Sequence, residues 1–404
     1  NRYELDAVSG KIPIYIMAFD GHSSLGNSAL MKLCGITDDY KESEGEIVER
    51  DENGVPNGIF KEGAISNKIL RFCPNLYPDD STAKQSIREC LTELSRLGYT
   101  TEHTILGLWP SMLGRARLYQ EMAAEHCLPM RLNLCYCDEY ENGMNVVSGF
   151  GNEWVRLGAV KFFIDGAMSE RTAYLSEEYK DQPDWKGCIV WEPEEFEKRV
   201  TKAYMLGNDV CIHIIGDAAL DIVLDVVEKI ARPEYTNSFE LIHCAVTRPD
   251  QIERMKKLPV IVHKQPIFIK APATLDGEKR IGELNRYYHS IRSFMDAGIT
   301  VTGGTDGPLS DMSAMMAIET AVTRVSFDNK TTVNPQECIS IYKAVEMFTK
   351  NAAYAGHEQD IKGTLNVGKL ADMIVLDRNI FDTPKNEIHN IRVEKTYLGG
   401  EAQY

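Results

Sequence analysis

The sequence predicts an α/β protein: a (β/α)8 TIM-type barrel one strand short, with a small β-sandwich unit at the C-terminal tail. Three observations lead there. Short β-rich runs alternate with amphipathic helices through residues 81–360. The connections between them are short, which calls for parallel strands joined by right-handed crossovers. Polar residues recur where the strands end, the face on which such barrels carry their active sites. At 404 residues the chain exceeds one small core and suggests one large domain with additions, or two domains.

Residues 1–80 hold one β-rich run, Ile12–Asp20, and a turn-rich stretch in which Asn53-Gly54 and Asn57-Gly58 are hairpin dipeptides. They read as an excursion covering the barrel mouth rather than as barrel wall. Ser81 is placed to cap a helix carrying Ile87, Leu91 and Leu94, and Gly98 to stop it. A strand follows at Tyr99–Ile105, then a helix over Gly114–His126 and the strand MRLNLCYC. The next strand is Val160–Ile164, and PEEFEKRVTKAYMLG is a helix ending at Gly207. DVCIHIIG, FELIHC and PVIVHKQP are strands separated by the helices AALDIVLDVVEKIA and PDQIERMKKL. A helix around Ile291–Ala297 leads to the strand Ile299–Gly303, and two more helices follow. That makes seven strands from Tyr99 to Gly303, where a closed barrel needs eight. From Gly363, TLNVGKLADMIVLD and VEKTYLGGEAQY give short strands with glycine turns, so residues 361–404 read as part of a small β unit.

The formal net charge of -16 argues against nucleic acid or an anionic membrane as the main partner and leaves a small molecule. A homodimer is compatible with the sequence. The ten cysteines form no CxxC pair, and several lie in apolar runs. They read as reduced core thiols, consistent with a cytoplasmic location. No apolar run approaches the ~20 residues that span a bilayer, and no signal-peptide pattern opens the chain.

Four polar residues stand at or just past strand ends: Lys161 in AVKFFIDG, His213 in VCIHIIGD, His243 in FELIHC and Asp306 in VTGGTDGP. They lie one or two βα units apart, so each comes from a different strand. Imidazole and carboxylate are natural ligands for a borderline divalent metal. Each residue alone also has a plain structural reading: a hydrogen-bonded core histidine, a lysine extending its amine to water, a turn aspartate. Together they favour a metal site. A buried lysine is costly as a cation. As a neutral amine it can react with carbon dioxide to give a carbamate, an anionic bidentate oxygen ligand, and burial favours that neutral form.

Several segments carry a family resemblance. They are DGHSSLGNSAL with the following CGI, VKFFIDGAMSERTAYL, IHIIGDAALDIVLD, ELIHC, KQP, TGGTDGP, FTKNAAYA and GTLNVGKLADMIVLD. In this order the chain resembles the amidohydrolase superfamily, in particular its amidohydrolase family 3 branch, which includes N-substituted formamide deformylase. The resemblance implies that Lys161 is the carboxylated strand-4 lysine bridging two metals. His213 and His243 are the implied strand-5 and strand-6 ligands. Asp306 ends strand 8, binds metal and shuttles the proton as the catalytic residue. The family opens its barrel with an HxH pair on strand 1, and no HxH occurs here. This matches the count of seven strands and implies that an N-terminal segment is missing from the chain.

His22 matches the branch motif and either reaches the active site from the covering segment or caps its own loop; Arg171, just after strand 4, is placed to contact substrate, and His263, in VIVHKQP, to line the pocket. Gln265 and Pro266 fit the end of strand 7. Asp217 reads as the cap of the next helix, His103 as structural, and Arg324 as a surface ion pair or a binder of a substrate carboxylate. The implied cofactors are one or two divalent metal ions, zinc by ligand type, and carbon dioxide for Lys161. The implied reaction is hydrolysis of a C–N bond in an amide, formamide or related small molecule by a metal-bound hydroxide. A deaminase or esterase on the same scaffold is the alternative enzyme. A binding protein with a degenerate metal site is the alternative of another class. No glycine-rich phosphate loop is present.

Overall fold

The computed structural model describes residues 1–43, 45–72, 79–106, 115–137 and 146–403. The N-terminal part folds around its own antiparallel sheet. Its strands are β1 (Tyr15–Met17), β2 (Ser23–Gly26), β3 (Glu46–Arg50) and β4 (Pro56–Glu62), in the order β1-β2-β4-β3. The run Ile12–Asp20 thus supplies β1 here and no barrel wall. Phe60, Leu30, Met31, Ile65 and Ile69 form a separate apolar cluster under this sheet. The β3–β4 hairpin turns at Asn53-Gly54, with Asp51 Oδ1 accepting the Asn53 and Val55 amides. Asn57-Gly58 makes no turn but lies inside β4. Gly58 has a φ of 93°, and a Cβ there would come within 2.5 Å of the Gly26 carbonyl oxygen, so close strand approach is what requires glycine.

The main sheet is parallel and seven-stranded. It comprises β5 (Thr101–Leu106), β6 (Arg131–Cys137), β7 (Val155–Phe163), β8 (Val210–Ile214), β9 (Phe239–His243), β10 (Val260–Lys264) and β11 (Thr300–Gly303), paired in sequence order. Among the described residues β5 and β11 are its edges. The period-2 alternation of strands sorts the side chains. Leu132, Leu134, Val160, Phe162, Ile212, Leu241 and Val262 enter one large apolar core with the flanking helices. Each such side chain contributes about 1.5–3 kcal/mol on burial. Residues of opposite parity face inward, where Cys135, Ala159, Cys211 and Ile242 form a small cluster. Lys161 pairs in register with Cys211, and Phe163 with His213, so the polar candidates share this inner face.

Several boundaries differ from expectation for local reasons. The first barrel helix spans Asp80–Arg96 with Asp79 as its N-cap, because the Asp79 carboxylate accepts the Thr82 amide at 2.8 Å; Ser81 lies in the first turn. The next helix is Arg115–Ala124, and Gly114 lies outside the described residues. Asp217 is the first residue of the helix Asp217–Ile230, whose N-cap is Gly216. A series of short helical turns over Pro266–Tyr287, unmarked by any simple period, follows β10.

The turn Ala355–Glu358 closes the N-terminal end of the barrel, where His357 Nε2 meets Asp209 Oδ1 at 3.0 Å. Beyond it, β12 (Met373–Leu376), β13 (Val393–Leu398) and β14 (Glu401–Ala402) form a three-stranded antiparallel sheet. The buried Arg131 guanidinium ties that sheet to the barrel through both oxygens of Asp372, at 2.7 and 3.0 Å.

Candidate active site

The four strand-end candidates come from β7, β8, β9 and the loop after β11. Lys161 is buried, with Nζ 4.5 Å from the centre of the Phe163 ring. Among the described residues no carboxylate stands within ion-pair distance of it. Burial therefore pulls its ammonium below the usual lysine range, against weaker opposing pulls from Cys211, Cys137 and Asp306. The amine is driven toward its neutral, nucleophilic form.

His213 and His243 meet with ring centres 4.8 Å apart. Burial, reinforced by neighbouring imidazoles and Lys161, holds both well below the ordinary histidine value. Neutral imidazole carries one N–H and one lone pair, and the partners decide which nitrogen holds which. His213 Nε2 faces the Gly166 carbonyl oxygen at 3.0 Å, so it donates and leaves the Nδ1 lone pair free. His243 Nδ1 faces Gln265 Oε1 at 2.7 Å, so it donates and leaves Nε2 free. The backbone at this corner is strained: His243 and Cys244 have φ of 68° and 43°, Asp306 60° and Arg171 58°. Lys264 Nζ donates to the His243 and Cys244 carbonyls at 2.5 and 3.1 Å. Burial raises the Asp306 carboxyl above its ordinary value, opposed by the charges of Lys161 and His22.

The N-terminal sheet contributes directly. The His22 ring lies 5.2 Å from that of His213. Its Nδ1 is 3.0 Å from Glu62 Oε2, and Glu62 Oε1 accepts from Thr172 Oγ1 at 2.6 Å. Burial alone pulls the His22 imidazole down, but the Glu62 carboxylate overrides it and holds the pKa up at about 9. Asp20 takes a hydrogen bond from Ser169 at 2.5 Å. This seating depends on Gly166, where a Cβ would fall 2.2 Å from both Glu62 Oε1 and Thr172 Oγ1.

The other candidates lie apart from the imidazole pair. The Arg171 guanidinium is taken up by Asp181 at 2.7 Å and makes no hydrogen bond with the four strand-end residues. His263 faces inward on β10, with Nδ1 2.9 Å from Thr302 Oγ1 and Nε2 close to, but off-axis for, a bond with Glu240. His103 is half-buried on β5, and desolvation of its ring pushes it down to about 4. Asp217 accepts from Ser176 and Arg248. Arg324 neither binds at the surface nor faces the site. It is fully buried and donates to the Val333 and His289 carbonyls. A cavity of about 250 Å³ opens at the opposite end of the barrel, lined by Asn133, Asp209, Glu240 and His357; none of the four candidates borders it.

Sequence reasoning missed Glu62, Lys264 and Asp165. The buried Asp165 carboxylate accepts the Ile215, Gly216 and Tyr174 amides and thereby fixes the loop after His213. Burial raises it to about 7. Its signal was its place at the end of the strand run FFIDG.

The model of the amidohydrolase family matches residues 1–404. The chain belongs to the amidohydrolase family. It is a hydrolase, and its family relationship implies a small-molecule substrate and a divalent metal. This amidohydrolase is 27% identical over 411 residues to the putative amidohydrolase YtcJ of Bacillus subtilis, covering all of this chain and 76% of that one. It is 26% identical over 419 residues to N-substituted formamide deformylase of Arthrobacter pascens, covering all of this chain and 75% of that one. A solved metal-dependent hydrolase from Pyrococcus horikoshii superposes with a TM-score of 0.74 at 25% identity, covering 95% and 75% of the two chains.

The donor set of the amidohydrolase suits a metal ion in kind: two neutral imidazoles with free lone pairs beside a buried amine that has no ion-pair partner among the described residues. Among the described residues no three His, Cys, Asp or Glu side chains come close enough to hold an ion on their own. His213, His243 and Asp306 therefore do not make a three-ligand set by themselves in this structure; Lys161 is a candidate of another donor type. No described helix is long and apolar enough to cross a membrane.

Proposed function

We propose that this amidohydrolase cleaves C–N bonds of amides, formamides or related small molecules with the help of a divalent metal, zinc by ligand type. The observation that carries the proposal is the pair of neutral imidazoles, 4.8 Å apart, beside the buried Lys161. The relative that deformylates N-substituted formamides supports the bond type. His213, His243, Lys161 and Asp306 would hold the ion. When bound, it polarises the scissile carbonyl and acidifies water. Lys161 serves after its neutral amine adds carbon dioxide and loses a proton, giving a carbamate with two ligand oxygens. Asp306 takes the proton of the attacking water and delivers it to the leaving nitrogen. His22, kept cationic by Glu62, offers a donor to a substrate oxygen. Arg171, once released from Asp181, and His263 are the other proposed substrate contacts. Residues 1–80 cover the mouth of a barrel spanning 81–360 and shape its specificity, and 361–404 belong to a small β unit.

The test is metal analysis of the full-length protein joined to hydrolysis assays on a panel of formamides and amides. The reading expects zinc or a similar ion to co-purify and Lys161→Ala to abolish turnover. It fails if no divalent ion is found and Lys161→Ala still hydrolyses the panel.

A further inference from the structure

We propose that Lys264 is a positioning residue of the metal site: its Nζ pins the left-handed His243–Cys244 backbone and thereby sets where the His243 imidazole points. The inference rests on the metal reading above. His243 and Cys244 end β9 with two successive positive φ values, 68° and 43°. A residue with a Cβ is strained in this conformation and persists in it only where its surroundings enforce it. Lys264 supplies that enforcement, with Nζ 2.5 Å from the His243 oxygen and 3.1 Å from the Cys244 oxygen.

The location of this lysine has no ready packing explanation. Its exposure is 0%, and Nζ lies 5.7 Å from the centre of the Phe294 ring, on the apolar side of the sheet. A methionine or leucine would fill that layer without the cost of burying an amine. The next residue works from the other face. Successive strand residues point to opposite sides, and Gln265 Oε1 takes the His243 Nδ1 proton at 2.7 Å. Lys264 thus fixes the backbone of His243 from behind while Gln265 fixes its ring from the site. Two N–H donors suffice, and the amine has them whether or not it is protonated.

The experiment measures the Zn2+ affinity of metal-stripped, full-length protein by chelator competition, and the visible spectrum of its Co2+ form. Loss of an outer partner typically costs 10–100-fold in metal affinity. Lys264→Met is expected to weaken Zn2+ binding at least about tenfold and to shift the Co2+ bands. Lys264→Arg, which keeps the donors, should stay nearer to wild type than Lys264→Met. Thr396→Val removes an equally buried donor, the one that meets Ser95 O at 2.7 Å. It should lower thermal stability and leave Zn2+ affinity unchanged. The inference is overturned if Lys264→Met melts earlier yet binds Zn2+ like wild type, or if Lys264→Arg loses as much affinity as Lys264→Met. Should Lys264→Met fail to fold, Lys264→Gln is read by the same criteria. If wild type itself takes neither Zn2+ nor Co2+, the functional reading falls first and this inference with it.

Discussion

The two ends of the barrel are both polar, and they treat their polar groups in opposite ways. At the N-terminal end charges are matched: His357 with Asp209, Lys362 with Glu358, Arg131 with Asp372. At the C-terminal end Lys161 is buried with no such partner among the described residues, two imidazoles are held neutral, and two of the four strand-end candidates, His243 and Asp306, sit at positive φ. Matched charges at the closed end cost little once paired and hold elements together. Unmatched donors and strained backbone at the open end are retained against the fold's own preference, which is how a reaction site differs from a structural joint. The cavity of about 250 Å³ does not follow this division, since it lies at the matched end. The chemistry of the walls is the better guide.

The sharpest way to break the comparison is Lys161→Ala. Loss of a ligand should reduce turnover by about 10³-fold or more, on the order of 4 kcal/mol of barrier, while the melting temperature holds or rises because a buried amine is gone. A large drop in stability would make Lys161 a joint after all. Next is Arg131→Met at the opposite end, which strands Asp372. Removing one partner of a buried pair costs about 3–5 kcal/mol, so denaturant unfolding should show that loss while metal content per folded molecule is unchanged.

Glu62→Gln probes a matched pair at the active end. His22 is raised from 6.5 to about 9 in the folded protein. A raised pKa gives stability that is full below 6.5 and disappears as pH climbs through about 9. The stability gap between wild type and Glu62→Gln should therefore be greatest below pH 6.5, up to about 3 kcal/mol, and close above pH 9. A gap independent of pH would mean that Glu62 matters for Thr172 and not for His22. The smallest effect belongs to His357→Asn. Its partner Asp209 raises the His357 pKa, but the ring is 40% exposed. Water screening limits the loss to about 0.5–1 kcal/mol, with turnover unchanged.

What the sequence revealed follows the same division. The strands were legible because their outward residues, Val160, Phe162, Ile212 and Leu241, alternate with inward ones. Lys161, His213 and His243 stood out as polar residues inside apolar runs. The segment after β10 was not legible because short helical turns carry no sustained period. Glu62 and Lys264 were missed for a different reason. Their partners are His22 and His243, 40 and 21 positions away in sequence, and neither residue type is unusual in its own segment. Asp79 outcompeted Ser81 as a cap by position alone.

The contact between His22 and His213 bridges two distinct hydrophobic clusters, one under the N-terminal sheet and one around the barrel. The His22 cation reaches the site through the contact that Glu62 and Thr172 make beside Gly166. The charge pattern is therefore divided between two packing units: the imidazole pair belongs to the barrel strands, and the cation beside it to the N-terminal sheet. A side chain in place of Gly166 would push against Glu62 and Thr172, and so against the seat of His22, rather than against the imidazole pair itself.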